Sequence, residues 1–196
     1  MEGRRIFIEP KQSLWKGRQD GSGPLHQRFF QKARCVSLKD FPIISGNPPV
    51  ILGFSCDEGV RRNQGRVGAR KAPDEIRKFL GGIPCTLKGN TPLFDVGNIL
   101  CQNGKLEESQ QELGKTVDLL LSRGAFPIIF GGGHETAFGH YLGARKYLGE
   151  DSRIGIINID AHFDMRDESQ ATSGTMFKQI LDLDPKAGYL VLGIQR

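Results

Sequence analysis

Five short apolar runs punctuate a polar chain, and each is followed or preceded by a stretch of helical spacing. PPVILGF at 48–54, TPLFDVGNI at 91–99, FPIIF at 126–130, RIGIINIDAHFD at 153–164 and GYLVLGIQ at 188–195 have the length and apolar content of buried strands. Between them, APDEIRKFL at 72–80 places Pro73 and two acids in a first helical turn and Gly81-Gly82 just past its end. LEESQQELGKTVDLLLSRG at 106–124 is amphipathic and stops at Gly124. ETAFGHYLGARKYLG at 135–149 and TMFKQILDL at 175–183 also read as helices. Strands alternating with helices predict an α/β fold, a parallel sheet covered on both faces in three α-β-α layers. Residues 1–48 are irregular and Gly/Pro-rich. They predict an N-terminal extension with a loop at WKGRQDGSGP and a helical patch at LHQRFFQKARCVSL, packing on or near a domain over 49–196.

Composition narrows the class. Apolar residues make up 38% and charged residues 25%, as in a globular protein. No apolar run reaches membrane-spanning length, and MEGRRIFIEP lacks the apolar stretch of a secretory leader. The four cysteines, at 35, 56, 85 and 101, show no CxxC spacing and stand apart from the histidines, so neither a zinc–thiolate site nor a disulfide framework is expected. This points to a reducing, cytoplasmic setting. Net charge is +5, and five of the basic residues fall in RRNQGRVGARK at 61–71. That loop reads as solvated or as an anion grip. Without aromatic stacking residues or a recognition helix, nucleic acid is not an expected partner.

The chemistry concentrates at two strand ends. In an extended strand, residues i, i+2 and i+4 share a side, so Asp160, His162 and Asp164 converge if the strand stays extended. Carboxylates gathered there call for a cation, and open α/β sheets place ligands at the carboxyl ends of strands. FPIIFGGGHE runs a buried strand through three glycines into His134, level with that cluster if the two strands are neighbours. Imidazole and carboxylate donors without sulfur suit Mn²⁺, and less specifically Fe²⁺, Zn²⁺ or Ni²⁺. Carboxylates can bridge, so a two-metal cluster fits. His140, six residues from His134, falls on the far side of a helix, and His26 has no partner in the sequence. LDLDP at 181–185 contains two aspartates, but Asp182 and Asp184 read as a helix end rather than as ligands.

GGGHE followed by NIDAHFD resembles the ureohydrolase superfamily, the manganese enzymes that include arginase and agmatinase. WKGRQD, GFSCDEGVRRNQGRVGARKAPDEIR, SGTMFKQI and LGIQ resemble one branch, the formimidoylglutamases of histidine degradation. The resemblance implies an arginase-like sheet, apparently incomplete at its C-terminus, and a site holding two Mn²⁺. His134 and Asp164 would bind one manganese, His162 the other, and Asp160 would bridge both. Asp160 and Asp164 would be the catalytic carboxylates, with Asp164 orienting a bridging hydroxide. The implied reaction is hydrolysis of N-formimino-L-glutamate, a small anionic amidine, to glutamate and formamide. Arg66, Ser173 and Thr175 are candidate substrate contacts. The family's later DxD motif does not follow LGIQ within these residues, and SGTMF lacks the histidine that arginases carry there. Agmatinase-type activity on a guanidino compound, or a truncated non-catalytic relative, stays open. A homo-oligomer is compatible with an unpaired sheet edge.

Overall fold

The computed structural model describes residues 6–195; the basic start of the chain, residues 1–5, lies outside them. Strand β3 (Pro49–Ser55) pairs in parallel with β4 (Leu93–Leu100) on one edge and with β5 (Phe126–Phe130) on the other. Two N-terminal strands share the outer edge of β4: β1 (Phe7–Ile8) antiparallel and β2 (Ala33–Cys35) parallel. The N-terminal segment is therefore woven into the sheet. The helical patch expected over 25–38 is replaced by a short helix α1 (Phe29–Lys32) and β2, because residues 33–35 gain a ladder with Leu93–Asp95. The polar loop at 55–73 also holds a one-turn helix, α2 (Glu58–Arg62), closed by Glu58 pairing with Arg61 and Arg62.

Alternation along β3 builds two layers. Val50, Leu52, Phe54 and Cys56 face α4 (Leu106–Ser122) through Leu113, Val117 and Leu120. Ile51 faces the other way, onto Trp15 and Leu80 of α3 (Ala72–Gly81). Helix α5 (Thr136–Leu148) packs on α4, and α6 (Met176–Leu183) packs on α5. Gly114, Gly139 and Gly143 permit the α4–α5 approach: a Cβ at Gly143 would lie 2.5 Å from Gly114 O.

The sheet is divided. β6 (Gly155–Ile159) and β7 (Gly188–Leu192) pair in parallel with each other and with no other strand among the described residues. They pack one face on Tyr141, Met176, Phe177 and Ile180. The expected adjacency of β5 and β6 is thus corrected: α5 connects them, but no ladder does. The strand expected over 153–164 ends at Ile159, before the acidic cluster. Among the described residues, no helix is long and apolar enough to cross a membrane.

Candidate metal centre

Three glycines carry the chain from β5 to His134. A Cβ at Gly132 would sit 1.8 Å from Cys56 O, and one at Gly133 would sit 2.0 Å from Glu135 Oε2. Gly133 N–H donates to Cys56 O at 2.9 Å, which fixes the turn against the end of β3. Glu135, not anticipated as important from the sequence, is fully buried at 0% exposure. Its Oε1 accepts the Gly59 N–H at 2.9 Å and the Cys56 thiol at 3.4 Å, and its backbone oxygen accepts Gln110 Nε2 at 2.8 Å. Burial raises its carboxyl pKa. Glu135 thereby ties the His134 turn to α2 and α4. The only sequence signal for it was an acid directly after the histidine in an otherwise apolar setting.

The second half of the site is a bend. Asp160 N–H donates to Leu192 O at 2.9 Å, a backbone bond that carries the β6–β7 pairing one residue past Ile159. The chain then turns, with Asp164 in the left-handed region at φ 45°. Tyr189, stacked on Phe177 at 4.5 Å, donates its hydroxyl to Phe163 O at 2.8 Å and holds the bend one residue before Asp164. Phe177 also meets the His134 ring edge-on at 5.5 Å.

These elements bring His134, Asp160 and Asp164 together, with one donor atom of each lying within 4.8 Å of the others. His134 Nδ1 is 2.8 Å from Asp164 Oδ2 and 3.6 Å from Asp160 Oδ2. Donors sharing one cation at about 2.1 Å lie up to about 4.2 Å apart, so this nitrogen–oxygen set fits a divalent metal. The period-2 convergence of Asp160, His162 and Asp164 is corrected for His162, whose side chain is 79% exposed and lies outside the group of three. It still touches the cluster: its Nδ1 is 3.2 Å from Asp160 Oδ1, and its N–H donates to the same oxygen at 2.8 Å. That N–H bond lowers the Asp160 carboxyl pKa, with burial opposing it and the His134 imidazole helping.

Beside Asp164 and His162 lies a cavity of about 430 Å³, also lined by Asn63, Phe163, Met165 and Arg166. Arg166 Nη1 donates to Asn63 Oδ1 at 2.9 Å, and Asn63 Nδ2 donates to Ser173 Oγ at 3.1 Å. Of the candidate substrate residues, Ser173 is next to this cavity through Asn63. Arg66 is exposed and not among its lining residues. Thr175 is 1% exposed, and its hydroxyl accepts the Thr172 N–H at 2.9 Å and meets Gln179 Oε1 at 3.0 Å, so it shapes the turn into α6. Arg166 escaped the sequence reading because it follows the DAHFD cluster by two residues, where the strand reading gave it no facing.

The remaining groups stand apart from the cluster. Asp182 lies in α6 and pairs with Lys178 at 2.6 Å; Asp184 is held by Arg145 and by Tyr141 Oη at 2.7 Å. All four cysteines are free thiols.

Comparison with known proteins places the geometry. Formimidoylglutamase from Geobacillus sp. (strain WCH70) is 49% identical over 192 residues, 97% of this chain and 59% of the relative. The same enzyme from Geobacillus thermodenitrificans (strain NG80-2) is 49% identical over 193 residues, covering 97% and 60%. The chain thus spans about three-fifths of these relatives' length. Among solved structures, an arginase superfamily protein from Trypanosoma cruzi matches with a TM-score of 0.71 at 31% identity, over 86% of this chain and 57% of that one. Trypanosoma cruzi formiminoglutamase with Mn²⁺ matches with a TM-score of 0.69 at 28% identity, over 85% and 65%. The family model described as "Arginase family" matches residues 47–196, the span that holds β3 to β7 and every residue of the cluster, and the chain belongs to the arginase family.

Proposed function

We propose that this chain supplies the larger part of a manganese-dependent formimidoylglutamase, which hydrolyses N-formimino-L-glutamate to L-glutamate and formamide. The observation that carries the reading is the position of Asp160. Its Oδ2 faces His134 at 3.6 Å and its Oδ1 faces His162 at 3.2 Å, so one carboxylate stands between two imidazoles. His134, Asp160 and Asp164 would hold one cation, and His162 with Asp160 would hold part of a second coordination sphere. Bound cations supply Lewis acidity and lower the pKa of water toward neutrality. Asp164 accepts a hydrogen bond from the attacking water and orients it toward the formimino carbon. A proton of that water passes to the glutamate nitrogen as the bond from the carbon to it breaks, releasing formamide and glutamate.

Arg166 is the cation best placed for a substrate carboxylate, since it lines the cavity that adjoins Asp164 and is positioned by Asn63. A charge-assisted contact of this kind contributes about 1.5–3 kcal/mol. Arg166→Ala should therefore raise KM for formiminoglutamate by roughly 10- to 100-fold with a smaller change in kcat, and Arg66→Ala should change KM less. Steady-state kinetics on both variants, made in a chimera that carries the remainder of a full-length relative, checks this, and a larger effect at Arg66 would return the carboxylate contact to the basic loop.

The reading is tested with the 196-residue chain and with a chimera in which the unmatched remainder of the Geobacillus thermodenitrificans relative follows residue 196. The chain alone should hold less than one tightly bound manganese and show no hydrolysis, because two cations sharing one carboxylate repel each other with little compensation. The chimera should bind two manganese ions and turn over formiminoglutamate in preference to agmatine or arginine. Preference for agmatine would shift the assignment to a guanidino substrate, and two tight sites on the chain alone would overturn the ligand count.

A further inference from the structure

We infer that Tyr189 and Phe177 are positioning residues of the metal centre: the Tyr189 hydroxyl sets the backbone of the bend that carries Asp164, and the Phe177 ring sets the pose of His134. The inference rests on the reading of His134, Asp160 and Asp164 as a manganese site. Both residues stand outside the ligand set and act by holding it in place.

Asp164 has φ 45°. A residue with a Cβ stays in that region only where its surroundings impose it. Two bonds flank it. Tyr189 Oη donates to Phe163 O at 2.8 Å, and Arg166 N–H donates to Gly174 O at 2.9 Å. The first fixes the peptide plane between Phe163 and Asp164. The amide nitrogen of Asp164 belongs to that plane, so the plane's orientation sets φ at Asp164. The hydroxyl is itself directed. The buried Asn158 donates from Nδ2 to Tyr189 Oη at 3.2 Å, which leaves the hydroxyl proton for Phe163 O. Asn158 and Tyr189 lie on the paired strands β6 and β7, so the ladder aims this bond at the bend that follows β6.

The ring of the same tyrosine reaches the other half of the cluster. It stacks on Phe177 with centroids 4.5 Å apart, and Phe177 meets the His134 imidazole at an interplanar angle of 82°. Among the described residues no ladder joins β5, which leads to His134, with β6, which leads to Asp164. Phe163, Tyr189, Phe177 and His134 form a chain of contacts between them, closed by His134 Nδ1 and Asp164 Oδ2 at 2.8 Å. Rotation of the imidazole or of the peptide before Asp164 would carry a donor atom out of the set. Core packing alone asks only for apolar rings here; it does not call for a hydroxyl bonded to the carbonyl that precedes a metal ligand. Tyr141 shows the contrast. It belongs to the same apolar cluster, and its hydroxyl is bonded to Asp184, away from the ligands.

The experiment compares Tyr189→Phe, Phe177→Leu and Tyr141→Phe in the chimera. Tyr189→Phe deletes one oxygen atom and keeps the stack. Its Kd for manganese, measured by calorimetry, should rise about 10- to 100-fold, the usual effect of losing a group that orients a metal ligand. Hydrolysis should lose kcat with KM for formiminoglutamate little changed. The Tm of the metal-free protein should stay near the parent's, because Phe163 is exposed and water can solvate its carbonyl without fixing it. Phe177→Leu should weaken manganese binding and also lower Tm, since Phe177 is buried. Tyr141→Phe, the same deletion in the same cluster, should leave manganese binding and kcat at parental values. In the metal-free 196-residue chain, hydrogen exchange at the Arg166 amide should quicken in Tyr189→Phe and not in Tyr141→Phe. Parental manganese affinity and parental exchange in Tyr189→Phe would overturn the inference. So would an equal loss of affinity in Tyr141→Phe, which would mean a general loosening of the core. A loss of affinity confined to Tyr189→Phe and Phe177→Leu, in a chimera that does not hydrolyse formiminoglutamate, would leave the inference standing and sink the functional reading instead.

Discussion

Arg77→Met is expected to destabilise the chain by about 3–5 kcal/mol, the cost of stripping one partner from a buried ion pair. Domains of this kind have roughly 5–15 kcal/mol in total, so the variant should be largely unfolded at modest urea. The reason is the completeness of the network. Arg77 and Asp95 are 1% and 0% exposed and meet through two contacts, Nε to Oδ2 and Nη2 to Oδ1, each 2.7 Å long. Asp95 also accepts Trp15 Nε1 at 2.8 Å and the Gly97 N–H at 3.0 Å. Arg77 Nη1 donates to Asn98 Oδ1 at 2.7 Å, and Nη2 to Gly97 O at 3.0 Å. Removing the guanidinium leaves a carboxylate in the interior with no counter-charge, which solvent cannot reach. Trp15 is the single tryptophan of the chain and touches Asp95 directly, so its fluorescence reports the network's loss. Urea unfolding followed by that signal measures the effect. A midpoint shift worth under about 1 kcal/mol would mean that water or backbone relaxation rescues Asp95. Asp95→Leu added to Arg77→Met should recover part of the loss, because the orphaned charge is then gone.

Much of this architecture is legible in the chain because burial and local spacing agree. FPIIF reads as a strand and is one, over the same five residues. The helices around Ala72, Leu106 and Thr136 sit where glycines, Pro73 and apolar spacing put them. The N-terminal segment was hidden for a physical reason. Ala33-Arg34-Cys35 has no strand-forming bias of its own, and its ladder is provided by β4, sixty residues away. Trp15 sits in a polar, glycine-rich loop whose local chemistry says nothing of Asp95, yet it is buried in a cluster with Ala33, Ile51 and Leu93 and its Nε1 donates to Asp95. In the metal centre, the residue types were readable and the backbone was not. The period-2 argument needs an extended strand through Asp164, and the strand stops at Ile159. Asp160, His162 and Asp164 are arranged by a bend, a positive φ at Asp164 and the Tyr189 hydroxyl, features with no short-range signature. This is why His134, Asp160 and Asp164 gather while His162 turns outward. The division of the sheet was equally invisible, since alternating strands and helices predict adjacency and cannot say which strands leave a gap between them.

Asp160→Asn should remove manganese binding at the shared position and, in the chimera, reduce hydrolysis to background. The substitution keeps the shape of the side chain and changes what it can bind. An amide nitrogen has no lone pair to offer a cation, and the negative charge that offsets two divalent ions is lost. Even partners one step removed from a metal cost about 10–100-fold in affinity or activity when changed. A carboxylate that stands 3.6 Å from one candidate imidazole ligand and 3.2 Å from the other should cost at least that. Stability should be nearly untouched, because the Asp160 side chain is 26% exposed and no interior network depends on it. Folding and metal effects therefore separate cleanly in one variant. Manganese titration by calorimetry, with thermal unfolding in parallel, reads both. Asp182→Asn is the matched control, since Asp182 is an exposed helix residue paired with Lys178 at 2.6 Å and should alter neither metal content nor turnover. If Asp160→Asn keeps two manganese ions and normal hydrolysis, the shared carboxylate lies elsewhere. If Asp182→Asn is the variant that loses them, the LDLDP turn carries the ligands and the arrangement argued for His134, Asp160 and Asp164 is wrong.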